Sequence, residues 1–167
     1  MEPNFTNEDL EQMLAESISE LTSLGYEVLP VTSIQFTNRN SRYRYGFCKI
    51  DDKLFYFDPY AFQWVGDLTV YIRITGNLRY LPPEKRSNLK TLVMHETIHA
   101  IKAPEPANGE KVFRLFDTPH GDRFDSIRDR VERELGYQHI HDGTCCGLID
   151  FLPKQYEITA ASKRKTK

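Results

Sequence analysis

The chain opens with apolar residues at helical intervals: Leu10, Met13, Leu14, Ile18 and Leu21. Steps of three and four put them on one face, which predicts an amphipathic helix over residues 6–25. Thr6 can cap its start with Asp9 as the partner three residues on, and Gly25 supplies the stop. The period then changes to two. Ile34 and Phe36 alternate with polar neighbours in residues 31–37, and Asn38-Arg39-Asn40-Ser41 has turn chemistry. Strand patterns return at 42–50 and 54–57, joined by a tight Asp51-Asp52-Lys53 connection, and again at 69–75, where Val70, Ile72 and Ile74 alternate. Gly76-Asn77 turns out of the last one. These segments predict an antiparallel meander.

Residues 89–101 behave differently. Leu89, Leu92, Val93, Met94, Ile98, Ala100 and Ile101 are apolar on nearly every side of a helix, the pattern of a buried one. Pro82 and Pro83 mark its approach, with Ser87 or Pro83 near its start, and it should end by Ala103-Pro104. Pro104, Pro106 and Gly109 then break periodicity through a polar loop over 103–118. A third helix is predicted over 122–135, with Phe124, Ile127, Val131 and Leu135 inward and Gly136 as its stop. The order of elements is that of an α+β fold, with the sheet packed on an N-terminal helix, a central helix and a following helix.

A length of 167 residues suits one domain with a real core, and 40% hydrophobic with 28% charged residues is a globular composition. No apolar run approaches the roughly 18 residues of a membrane span. The acidic, polar start lacks a secretory pattern, so a cytoplasmic location is expected. Cys48, Cys145 and Cys146 make no disulfide framework. A formal net charge of −2 argues against a chain-wide grip on nucleic acid. The one basic concentration, Lys163-Arg164-Lys165-Thr166-Lys167, reads as a solvated end.

Within the buried helix stands His95-Glu96-Thr97-Ile98-His99, an H-E-x-x-H pattern. Residues four apart on a helix lie about 40° apart around the axis and about 6 Å along it, so both imidazoles can reach one metal ion. Glu96, about 100° round from His95, can instead hold a water as general base. Such polar groups inside an apolar helix need a partner, which a metal would provide. Hydrolytic zinc usually takes three protein ligands and leaves one position open. A third histidine six residues after His99 is excluded, because that position is Glu105. Glu132 and Glu134 are formally available from the following helix, and His120, His139 and His141 remain. Of these, His120 is best placed, just ahead of a helix able to cross the metal helix.

Three motifs together resemble the SprT-like metallopeptidase domain, the family that includes Spartan proteases. They are Arg44-x-Gly46-x-Cys48 in an early strand, Met94-His95-Glu96-Thr97-Ile98-His99-Ala100, and His120-Gly121-x-x-Phe124 opening a helix. The resemblance spans roughly residues 10–136 and implies a zincin-like fold with a metallopeptidase domain over 1–140. Residues 141–167 would form a C-terminal extension. It implies a Zn2+ site of His95, His99 and His120 with Glu96 as general base. Residues 54–68 look like an extra hairpin and loop. The Cys-x-x-Cys ribbon of many members is lacking, so no second zinc is expected. His139, His141, Cys145 and Cys146 read as ordinary loop residues, and Cys48 as a small buried hydrophobe.

The resulting expectation is zinc-dependent hydrolysis of peptide bonds in a protein or peptide substrate, which could lie as an added strand on the sheet edge. Tyr137, Arg123 and Tyr45 are candidates to stabilise the oxyanion. Asp117, Asp122 or Asp125 could orient a ligand imidazole. DNA enters as a partner through the resemblance alone. The alternatives are a non-catalytic zinc module binding protein or nucleic acid, against which an intact Glu96 argues, and a hydrolase of non-peptide bonds.

Overall fold

The computed structural model describes residues 2–38, 45–102, 122–140 and 148, with backbone only at 52–57, 64 and 67. Helix α1 runs Asn7–Ser23. Thr6 Oγ1 takes the Asp9 N–H at 3.3 Å while Asp9 Oδ2 takes the Thr6 N–H at 2.7 Å, the reciprocal capping box expected of this pair. At the other end Tyr26 N–H reaches Leu21 O at 3.1 Å and Gly25 N–H reaches Thr22 O at 3.0 Å. That double closure needs a left-handed residue, and Gly25 has φ 92°.

Strands β1 (Ser33–Phe36), β2 (Gly46–Asp58) and β3 (Gln63–Ile74) form one sheet in the order β1-β3-β2. This corrects the antiparallel meander: β2 and β3 pair antiparallel, but β1 pairs parallel with β3, and the sheet is mixed. Alternation tells which side chains share a face, not which strand is the neighbour. The central place belongs to the strand whose Val70, Ile72 and Ile74 are fully buried. Its other face carries Tyr71 and Arg73, with the guanidinium 4.9 Å from the Tyr71 ring.

The expected connection at Asp51-Asp52-Lys53 is likewise replaced, because residues 42–50 and 54–57 do not form two strands. Asp51 faces Thr69 and Leu54 faces Asp67, so three steps on β2 match two on β3. One extra residue makes a bulge within a single long strand. The outer half of this hairpin turns over residues 59–62, where Phe62 has φ 52° and Tyr60 is 99% exposed. Only its inner half is flanked by β1.

Two short 3-10 turns, Gly76–Tyr80 and Pro83–Lys85, lead into helix α2, Arg86–Ile98. Every residue from Leu89 to Ile98 is buried, as its all-round apolar pattern requires. The threonines within it answer for their hydroxyls locally: Thr97 Oγ1 donates to Val93 O at 2.6 Å and Thr91 Oγ1 to Ser87 O at 2.8 Å. The helix ends earlier than Ala103. Ala100 O accepts Leu29 N–H and Lys102 N–H reaches Glu27 O, both at 2.8 Å, with an antiparallel bridge between Val28 and Ile101. This pairing draws the backbone into an extended path as soon as the motif is complete.

Helix α3, Asp122–Leu135, matches its expected bounds and is closed by Gly136 at φ 79°. It buries Phe124, Ile127 and Val131 against Met94, Ile98, Ile101, Leu21 and Ile140. A second cluster joins α1, β1, β3 and the first half of α2, and Leu148 belongs to it at 1% exposure. A residue beyond position 140 thus completes the core. No helix among the described residues is long and apolar enough to cross a membrane.

Candidate metal centre

His95 and Glu96 lie in the last turn of α2, and His99 follows as its C-cap with φ −62° and ψ −20°. Helical geometry therefore continues through the second histidine, and the two ring centroids are 5.1 Å apart at 64°. His95 Nδ1 lies 2.7 Å from Ile140 O. A carbonyl can only accept, so Nδ1 carries the hydrogen, which in a neutral imidazole places the lone pair on Nε2. Nε2 is also the atom facing Glu96, whose Oε1 is 3.8 Å away. A ligand-competent nitrogen and a carboxylate thus share one small region. The donor chemistry suits zinc, for which neutral imidazole oriented by a backbone carbonyl is a usual ligand.

Phe124 holds the rings from the side. It stacks on His99 at 4.8 Å and 26°, meets His95 at 5.1 Å and 55°, and is fully buried. It is the Phe of the His120-Gly121-x-x-Phe124 motif, so the helix opened by that motif packs on both members of the pair. His120, two residues ahead of α3, lies outside the described residues, as do Arg44, Asp117, His141, Cys145 and Cys146. Among the described residues no three His, Cys, Asp or Glu side chains are grouped to hold a metal ion.

Glu132 and Glu134 are turned elsewhere. Glu132 Oε1 accepts the Ile140 N–H at 3.2 Å, and Glu134 pairs with Arg130 at 3.1 Å. His139 is exposed with φ 62°.

Gly46 has a steric role beside this group. A Cβ at that position would stand 3.0 Å from both Arg73 O and Ile74 Cδ1, and 3.6 Å from Glu96 Cγ. The tight approaches are to β3, at Arg73 O and Ile74 Cδ1, while toward Glu96 a Cβ would make only ordinary contact. Cys48, two residues on, packs against the apolar core as expected of a hydrophobe, but is only partly buried.

Of the oxyanion candidates, Tyr137 belongs to a different cluster. Its hydroxyl donates to Glu20 Oε1 at 2.9 Å and accepts from Lys90, whose ammonium sits 2.5 Å from the same carboxylate. Burial, then the Glu20 bond, hold the Tyr137 hydroxyl well above its usual range, so it remains a donor. This group explains how Lys90 can be buried within α2, and it ties α1, α2 and the segment after α3 together. Arg123 is exposed beside Asp122 on a cavity of about 570 Å³ between the end of α1, residues 101–102 and the start of α3. Tyr45 packs against the main core cluster, and its carbonyl accepts Thr75 N–H at 2.8 Å. Of the aspartates, Asp125 lies 3.4 Å from Arg128 and Asp122 is exposed.

The group that orients His95 was missed by sequence reasoning. A main-chain carbonyl at Ile140 has no signature in residue types, and only the burial of an apolar residue just past Gly136 hints at it. No protein-family profile, curated protein or solved structure matches the chain.

Proposed function

We propose that the chain is a zinc-dependent metallopeptidase of SprT-like type acting on protein substrates. The observation that carries this reading is the His95 ring, bonded through Nδ1 to Ile140 O at 2.7 Å, with Nε2 3.8 Å from the Glu96 carboxylate. A structural site has no need of a buried carboxylate beside the ligand nitrogen, whereas hydrolysis needs a base there. His95, His99 and His120 would hold the ion, the third by family resemblance. When bound, zinc supplies Lewis-acid polarisation of a carbonyl and acidifies water.

The remaining chemistry belongs to the chain. Glu96 takes the proton of the attacking water and passes it to the departing amine, so one carboxylate serves as base and then acid. Its burial at 4% exposure keeps competing water away. Strand β2 starts beside Glu96 at Gly46 and, among the described residues, forms one edge of the sheet. The opposite edge, β1, is partly covered, since Asn7 Oδ1 accepts the Phe36 N–H at 2.9 Å. An extended substrate segment would add to β2 and run past the base. That mode of binding selects unfolded or exposed protein segments and asks little of their sequence. Proteins attached to DNA are one such class, proposed through the resemblance alone.

The purified protein should hold about one zinc per chain. Metal analysis beside His120→Ala tests the ligand set, with zinc lost or much weakened in the variant. Zinc retained there would move the third ligand to another residue. No zinc uptake, even after addition, would end the metallopeptidase reading and leave a buried helix with two bonded histidines.

A further inference from the structure

We infer that residues 27–29 are a positioning element for His99: by pairing with residues 100–102 they end α2 at the second histidine. No helix-ending residue type stands between His99 and Ala103. Ala100, Ile101 and Lys102 all suit a helix, and the first breaking signal is Pro104, which acts back on Ala103. None of residues 99–102 has a positive φ, so no left-handed cap closes the helix either. What the structure shows there is a pairing. Leu29 N–H donates to Ala100 O and Lys102 N–H to Glu27 O, both at 2.8 Å, around the antiparallel bridge of Val28 with Ile101. In a continuing α-helix the Lys102 N–H would bond Ile98 O; Glu27 O takes it instead. The pairing stretch is itself held. Gly25 closes α1 just before it, Pro30 favours an extended Leu29, and Leu29 is 3% exposed against Val70 and Ala100.

The consequence falls on the spacing of the two imidazoles. Ala100 N–H bonds Thr97 O at 2.9 Å and Ile101 N–H bonds Ile98 O at 3.1 Å, so the chain winds more tightly at the end of α2 than within it. Four α-helical steps leave two side chains about 40° apart around the axis, and four of the tighter steps about 120°. The point where tightening begins therefore decides whether His95 and His99 can converge on one ion. The pairing sets that point just past the motif: His99 keeps φ −62° and ψ −20°, and the two ring centroids stand 5.1 Å apart. The metal-binding side of this inference rests on the zinc reading above; the position of His99 does not.

The test uses two variants of the full chain, read by NMR without metal. Leu29→Pro removes the N–H and suits an extended backbone, whereas Leu29→Val keeps both the N–H and an apolar side chain. In folded Leu29→Pro the carbon-α chemical shifts of residues 100–102 should move toward helical values, and cross-peaks between the His95 and His99 rings should weaken. Its zinc affinity should fall by about 10-fold or more, while Leu29→Val matches the wild type throughout. Wild-type shifts over residues 99–102, or unchanged ring cross-peaks, in a folded Leu29→Pro protein would overturn the inference. In the wild type, which needs no variant to fold, the amides of Leu29, Ala100, Ile101 and Lys102 should exchange as one unit with the same dependence on denaturant. Exchange of Leu29 and Lys102 while Ala100 and Ile101 stay protected would overturn it equally. Failure of the wild type to bind zinc would count against the metallopeptidase reading alone, because shifts, cross-peaks and exchange are all read without metal.

Discussion

Glu96→Gln is expected to keep the fold and the zinc and to lose peptide hydrolysis by about 10²–10⁴-fold. The substitution replaces one carboxylate oxygen with an amide of nearly the same shape. The buried site, 4% exposed, therefore keeps its packing, and the His95–Ile140 bond is untouched. What disappears is the ability to accept a proton beside Nε2. The assay is cleavage of a denatured protein, with and without DNA, at matched zinc content. An unchanged rate would remove Glu96 from the mechanism. Loss of zinc together with activity would instead make Glu96 a ligand.

Phe124→Ala should destabilise the chain by about 3–5 kcal/mol, the range for removing a fully buried aromatic ring. In a domain of this size that corresponds to a fall in Tm on the order of 10 °C. The magnitude follows from position: the ring is wholly buried, packs with Met94, Ile98, Ile127 and Val131, and touches both histidines. The effect should also extend beyond stability. With the ring gone, His99 loses its stacking partner and zinc should bind more weakly even where the protein remains folded. Thermal unfolding measured with and without zinc separates the two losses. A change below about 1 kcal/mol would mean that neighbouring side chains fill the space and that the ring does not wedge the histidines in place.

Much of the local structure was legible in the residues. Thr6 with Asp9 announced the start of α1, Gly25 and Gly136 announced two helix ends, and the all-round apolar pattern of α2 announced its burial. These signals are short in range, and each has one dominant physical cause. Strand order was not legible, because the alternation in Val70, Ile72 and Ile74 fixes a face but names no neighbour. The bulge after Asp51 was read as a turn, since two aspartates and a lysine suit either.

At the candidate site, the closeness of His95, Glu96 and His99 was legible from spacing alone. Glu132 and Glu134 were equally open as ligands until their bonds to Ile140 and Arg130 were seen. The Tyr137 hydroxyl stood among the oxyanion candidates, because nothing in the sequence announces Glu20 and Lys90 as its partners. Long-range partners of this kind depend on packing, which residue identity constrains only weakly.

The place of β3 between β1 and β2 also sets an order in time. The β2–β3 ribbon closes through a turn of a few residues and can zip from its tip inward. Strand β1 cannot complete its parallel pairing until Tyr71 has been made to meet Ser33, across the whole length of that ribbon. Closing the longer loop carries the larger entropy loss and is the slower event. Side-chain deletions in β1 should therefore act mainly on the unfolding rate, and those in the ribbon on the folding rate. The region of Gly46 and Glu96 lies where these two events join. The strand beside Glu96 thus belongs to the ribbon that forms early, and the sheet behind that strand becomes complete only at the end of folding.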